Sequence, residues 1–149
     1  MSGTPDTAVT TVPAGVRVAH LFRGLVVTGL AATLVAMALT TTVAALVAAG
    51  GVGLEVPEDG ERIPLAGFAT VTGFFSLVGV VLAAALLRWS ARPATRFAWT
   101  AGALTVASLV PPLLSKADAA TVTALVGLHL FAAGVMIPAL WRSLRTRAG

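Results

Sequence analysis

Few residues in this chain could do chemistry. His129 is the one ionisable side chain deep inside a long apolar stretch, and an imidazole held there must find a polar partner, pass a proton or meet a ligand. A second group is acidic. Glu55, Glu58, Asp59 and Glu61 fall within seven residues, and such a cluster can bind a cation, donate protons or stay solvated in a turn around Asp59 and Gly60. Its spacing lacks the ligand order and glycine placement of a calcium loop. Asp118 stands just before another apolar stretch, where a carboxylate caps a helix. Carboxylates poised over an apolar cavity would have raised pKa values and act as acids. Glu61, Asp118 and His129 are therefore the candidate catalytic set.

Familiar catalytic patterns are missing. The sequence contains no nucleophile elbow, no metalloprotease His and Glu spacing, no phosphate-binding glycine loop and no dinucleotide fingerprint. With no cysteine, thiolate chemistry, disulfides and Cys-ligated metal centres are excluded. His129 cannot build a zinc site alone and His20 lies beyond the other end of a helix, so neither a metal nor a cofactor is expected.

These residues need elements to position them, and composition says which. Hydrophobic residues make up 57% and charged residues 11% of 149 residues, with a mean hydropathy of +0.93, against about 25% charged in an average soluble domain. So much apolar surface requires lipid as the solvent. Four segments, 24–49, 64–87, 97–114 and 119–140, each run 18 residues or more without an Asp, Glu, Lys or Arg. At about 1.5 Å per residue, each can cross a hydrocarbon layer of about 30 Å. Pro111 and Pro112 break the third near one end, and Pro138 should kink or terminate the fourth. Residues 1–20, with Pro5, Pro13 and several Thr and Gly, read as a flexible cytoplasmic tail ahead of a four-helix domain at 21–149. Leu46–Gly50 resembles a signal-peptide cleavage site, but the apolar run before it is about twice the length of a signal h-region. The first segment is read as an uncleaved helix.

Charge sets the orientation. Arg17 and Arg23, then Arg88, Arg92 and Arg96, then Arg142, Arg145 and Arg147 put eight of the ten basic residues on one side, with Arg62 and Lys116 opposite. Both termini are therefore expected in the cytoplasm, with Trp89, Trp99 and Trp141 at that interface. Glu55, Glu58, Asp59, Glu61 and Asp118 fall outside. The net charge of +4 thus reports topology. It is not a nucleic-acid footprint, because the arginines are spread over three flanks without interleaved aromatics.

Short connections make consecutive helices antiparallel neighbours, so the expected fold is all-α, a polytopic up-down-up-down four-helix transmembrane bundle. Helices in lipid associate largely through small residues. The candidate ridges are Gly24, Thr28, Ala32, Ala36, Thr40, Ala44 and Ala48 on the first helix, Ala69, Gly73, Gly79 and Ala83 on the second, and Ala119, Thr123 and Gly127 on the fourth. His129, ten residues beyond Ala119, lies about 15 Å deep by helical rise. Thr33, Ser76, Thr105 and Ser108 fall at similar depth and offer hydroxyl partners. Leu125, Ala132, Ala133 and Met136 share the helical face of His129, and their small or apolar side chains leave room for a hydrophobic ligand.

The stretch Gly60–Ala69, the run Ser108, Leu109, Val110 and Pro111, the pair Asp118 and Thr121, and His129 followed by Ala132, Ala133, Ile137 and Pro138 resemble a family of small four-helix membrane proteins from high-GC actinobacteria, a domain of unknown function. The resemblance covers the last hundred or so residues and the layout of the first helix. It implies four spans in a bacterial plasma membrane and a shared site for Glu61, Asp118 and His129, and brings no activity with it. Ala119 and Ala120 depart from it, since relatives carry a further Thr before Thr121.

Two main readings of function follow. In one, a lipid or other apolar molecule enters an outward-facing cavity near Glu61, Asp118 and His129, with Ser76, Thr105, Ser108 and Met136 as further contacts; an enzyme version would move a proton on an isoprenoid-like substrate. In the other, the bundle is an accessory subunit, or a homo-oligomer, whose small-residue ridges dock against another membrane protein. A small transporter ranks third, limited by chain length.

Overall fold

The computed structural model describes residues 14–55, 62–115 and 117–148. Five helices account for nearly all of it: α1 (Ala14–Ala49), α2 (Leu65–Trp89), α3 (Pro93–Ser108), α4 (Val110–Leu114) and α5 (Ala119–Ala148). Four stretches, Val18–Ala49, Leu65–Trp89, Pro93–Leu114 and Ala119–Arg147, are long and apolar enough to cross a membrane. The chain is a multi-pass, all-helical membrane protein.

Helix ends follow from local sequence. α1 stops in a Schellman turn: Gly51 takes a positive φ of 93°, the Val52 N–H donates to the Val47 carbonyl at 3.3 Å, and Gly51 N–H donates to Ala48 at 3.1 Å. Only a residue without Cβ holds that conformation cheaply, and the turn satisfies carbonyls that would otherwise be orphaned. Leu46–Gly50 therefore forms the close of a helix. At its other end α1 starts at Ala14, so Ala14–His20, placed by sequence in the tail, are helical; residues 1–13 lie outside the described residues. Once a long helix is nucleated, adding residues that contain no proline costs little.

The third span is two helices. Pro111 and Pro112 cannot donate to the carbonyls of Ala107 and Ser108, so α3 ends at Ser108 and α4 resumes around them. Pro138, in contrast, does not terminate its helix; α5 continues to Ala148. One missing N–H is tolerated in a helix whose other turns are intact.

α1 packs on α2 and α5, and α3 packs on α5 and α2. α2 and α5 lie across the short diagonal, and α1 and α3 across the long one. The core is divided along the bundle axis. At the end carrying the chain termini, Leu25, Val80, Ala83, Phe97, Met136, Leu140 and Leu144 pack together. At the other end Ala44, Leu54, Phe68 and Leu128 form a smaller cluster.

α1 and α2 mesh through reciprocal contacts. A Cβ on Gly29 would sit 2.6 Å from Val80 Cγ2, and one on Gly73 would sit 2.9 Å from Met37 Sδ. Each glycine is the hole for a knob from the other helix, the close approach that lipid-embedded helices rely on. The buried line on α1 is Leu25, Gly29, Thr33, Ala36, Thr40 and Ala44. It matches the small-residue ridge only in its second half, because the actual contact drifts with 3.6-residue geometry while a strict step of four does not. On α5 the ridge points the wrong way. Ala119, Thr123 and Gly127 are all exposed, and the helix buries Thr121, Leu128, Met136 and Leu140 instead.

Candidate functional site

Asp118 is committed to structure. Its Oδ1 accepts from the Ala120 and Thr121 backbone N–H groups at 2.9 and 3.1 Å, and its Oδ2 accepts from the Thr121 hydroxyl at 2.6 Å. This is a helix cap with a second lock, since Thr121 is buried. The hydroxyl bond from Thr121, joined by its backbone N–H, holds the Asp118 carboxyl below its ordinary pKa. The expectation of a raised value is thereby reversed: the carboxylate is exposed and bonded in its charged form. Asp118 stays ionised at neutral pH and is poorly placed to deliver a proton.

His129 lies about 16 Å along the α5 axis from Asp118 by helical rise, so the two do not meet. It is partly buried, and among the described residues it makes no hydrogen bond. The hydroxyls expected to partner it are mostly occupied. Thr33 donates to Gly29 O at 2.8 Å, Thr105 to Ala101 O at 2.8 Å and Ser108 to Thr105 O at 2.7 Å, each within its own helix. Ser76 is buried on α2, and Met136 is packed in the core at the termini end. Glu61 lies outside the described residues, as do Glu58 and Asp59. Glu55 pairs across an isolated antiparallel bridge with Arg62, and their side chains approach to 3.9 Å while both exposed, a contact worth little. Among the described residues no cluster of three metal-ligating side chains occurs.

The threonines of α1 differ in how their hydroxyls are satisfied. Thr28, Thr33 and Thr42 donate to the carbonyl four residues back, the usual way a hydroxyl is satisfied in a membrane helix. Thr40 and Thr41 do not: both hydroxyl oxygens are buried without a partner among the described residues. The only sequence trace is a run of three threonines, Thr40, Thr41 and Thr42, in an apolar segment. Thr41 lines a groove of about 480 Å³ between α1 and α2, together with Met37, Ala38, Thr42, Ala45 and Ala69. A second cavity of about 260 Å³ opens at the termini end beside Arg88 and Arg147. Neither touches His129 or Asp118.

A family profile spans nearly all of the bundle, from residue 20 to residue 146. The chain belongs to a family of unknown function, DUF6069. No curated protein and no solved structure matches it. For this DUF6069 member the arrangement of side chains is thus the guide to what it does.

Proposed function

We propose that the protein is a multi-pass component of a bacterial plasma membrane, with both termini cytoplasmic, that binds a lipid or another apolar small molecule within the bilayer. One observation carries this reading. The α1–α2 groove is shallow and apolar apart from its threonines, and one lining residue, Thr41, has a buried hydroxyl without a partner among the described residues. A buried donor left unmade costs about 1–3 kcal/mol, and a ligand hydroxyl or carbonyl that draws the Thr41 side chain toward the groove would recover it. His129, partly buried and without a hydrogen bond among the described residues, lies outside this groove, as does Asp118, so with Glu61 they are proposed as a separate, outer place of contact with the ligand. The orientation rests on the arginines that close the termini end of each helix.

Thr41→Val tests the groove in two opposed directions. Removing an unsatisfied hydroxyl should stabilise the empty protein in detergent by about 1–2 kcal/mol, while the apolar molecule that copurifies with the wild type falls away in mass spectrometry. Thr40→Val, outside the groove lining, should stabilise similarly and retain the molecule. His129→Ala then reports whether the imidazole contributes to the same binding. A wild-type protein carrying only bulk lipid, in proportion to the membrane it came from, would overturn the reading.

A second reading has its own support. Only 6% of the third span is buried, against 17–22% for the other three, and the buried residues of α3 are Pro93 and Phe97, both at one end. The rest of that span is open to a partner subunit. Because the chain has no cysteine, Val106→Cys gives a clean cross-linking probe. An oxidised dimer from Val106→Cys but not from Val81→Cys, on the lipid face of α2, would favour assembly.

A further inference from the structure

The cavity at the termini end is built differently from the α1–α2 groove. Its floor is apolar, with Phe22, Leu87 and Pro93, and its rim carries Arg88, Arg147 and Ser90. Arg147 is held in place before any ligand arrives. Its Nη1 donates to the Ser143 carbonyl and hydroxyl at 2.8 and 2.6 Å, and its Nε donates to the Leu21 carbonyl of α1 at 3.1 Å. Gly24 leaves room for the guanidinium, since a Cβ there would fall 2.5 Å from Nη2. The first turn of α3 begins at the same rim: Pro93 occupies its start, Arg92 supplies no side-chain cap, and the turn holds no acidic residue. Its positive end is therefore uncompensated.

The described acids, Glu55 and Asp118, both sit at the opposite end of the bundle. Among the described residues no carboxylate neutralises Arg88 or Arg147. The cavity lies where the spans end, with Trp89 exposed beside it, the depth at which phospholipid phosphates sit. A positive rim above an apolar floor matches an anionic lipid, whose phosphate and first acyl carbons need both.

We propose that this cavity is a specific site for the phosphate of an anionic phospholipid, gripped by Arg88 and the pre-positioned Arg147 with the α3 N-terminus behind it and the acyl chains lying against Phe22 and Leu87. The site is independent of the α1–α2 groove.

The test uses the full chain, delipidated in non-ionic detergent, with binding followed by thermal shift and native mass spectrometry. Phosphatidylglycerol should bind and raise the melting temperature, whereas phosphatidylcholine and inorganic phosphate at matched concentration should not. Arg88→Gln, which breaks no hydrogen bond or ion pair among the described residues, should weaken phosphatidylglycerol binding about tenfold, the loss expected for one charge-assisted contact, with the melting temperature of the lipid-free protein unchanged. Arg142→Gln removes an exposed arginine of the same end outside the cavity and should change binding less than about twofold. Equal losses from Arg88→Gln and Arg142→Gln would overturn the proposal in favour of diffuse attraction. Saturation of the site by inorganic phosphate alone would overturn it as a lipid site.

Discussion

Asp118 illustrates how a residue flagged for chemistry can be consumed by architecture. Three donors converge on its carboxylate, and its pKa is lowered mainly by the Thr121 hydroxyl. A group whose folded pKa lies below its unfolded value contributes stability above the ordinary aspartate range and loses it as pH falls through the folded value. Thermal unfolding in detergent should therefore show Asp118→Ala melting below the wild type at pH 7, with the gap closing as pH drops below about 4. A gap that keeps the same size however far the pH falls would mean the carboxylate charge is irrelevant to the cap. Arg147 is the corresponding case at the other end. Gly24→Leu should dislodge its guanidinium from Leu21 and lower the melting temperature, with a cost of about 1–3 kcal/mol from forced repacking.

Between helices, the decisive contacts are Gly29 against Val80 and Gly73 against Met37. Gly29→Ala should destabilise by about 1–3 kcal/mol through overpacking, and Val80→Ala in the same chain should recover part of that loss by opening the space. A double-mutant cycle measures the coupling, and strictly additive effects would show that the two residues do not touch. Leu140, fully buried where α5 meets Gly29 and Gly79, is the strongest single test of the larger core. Leu140→Ala should cost about 2–5 kcal/mol, read as the shift in an equilibrium unfolding curve in detergent.

For the molecule as a whole, four spans require the two ends of the chain to share one face. Reporter fusions at the N- and C-termini should give the same sidedness, and a tag inserted between Glu55 and Arg62 should give the other. The two ends of the bundle also differ in character. The termini end concentrates Arg23, Arg88, Arg92, Arg96, Arg142, Arg145 and Arg147, with Arg145 lying 4.7 Å over the Trp141 ring. The loop end holds the smaller core cluster and the Asp118 cap. The flanks are apolar and open, with Leu34, Val81, Val106 and Leu114 each more than 60% exposed, as spans meeting lipid require.

The spans, the antiparallel order and the break at Pro111 and Pro112 were legible in the sequence, because hydropathy and a missing N–H act locally and do not wait for neighbours. The Asp118 cap was legible for the same reason, since its partners lie two and three residues away. Helix faces were less so. A stripe such as Ala119, Thr123 and Gly127 has small residues at the right spacing, yet small side chains pack as well against lipid as against protein, so only docking decided that Thr121 and Leu128 turn inward. Tertiary structure alone placed Met136 in a filled core, left the Thr40 and Thr41 hydroxyls without partners among the described residues and brought Arg88 and Arg147 to one cavity. Those outcomes depend on distances between helices, which are set by where Val80 and Met37 find a glycine to enter and by nothing in the hydropathy of any one segment.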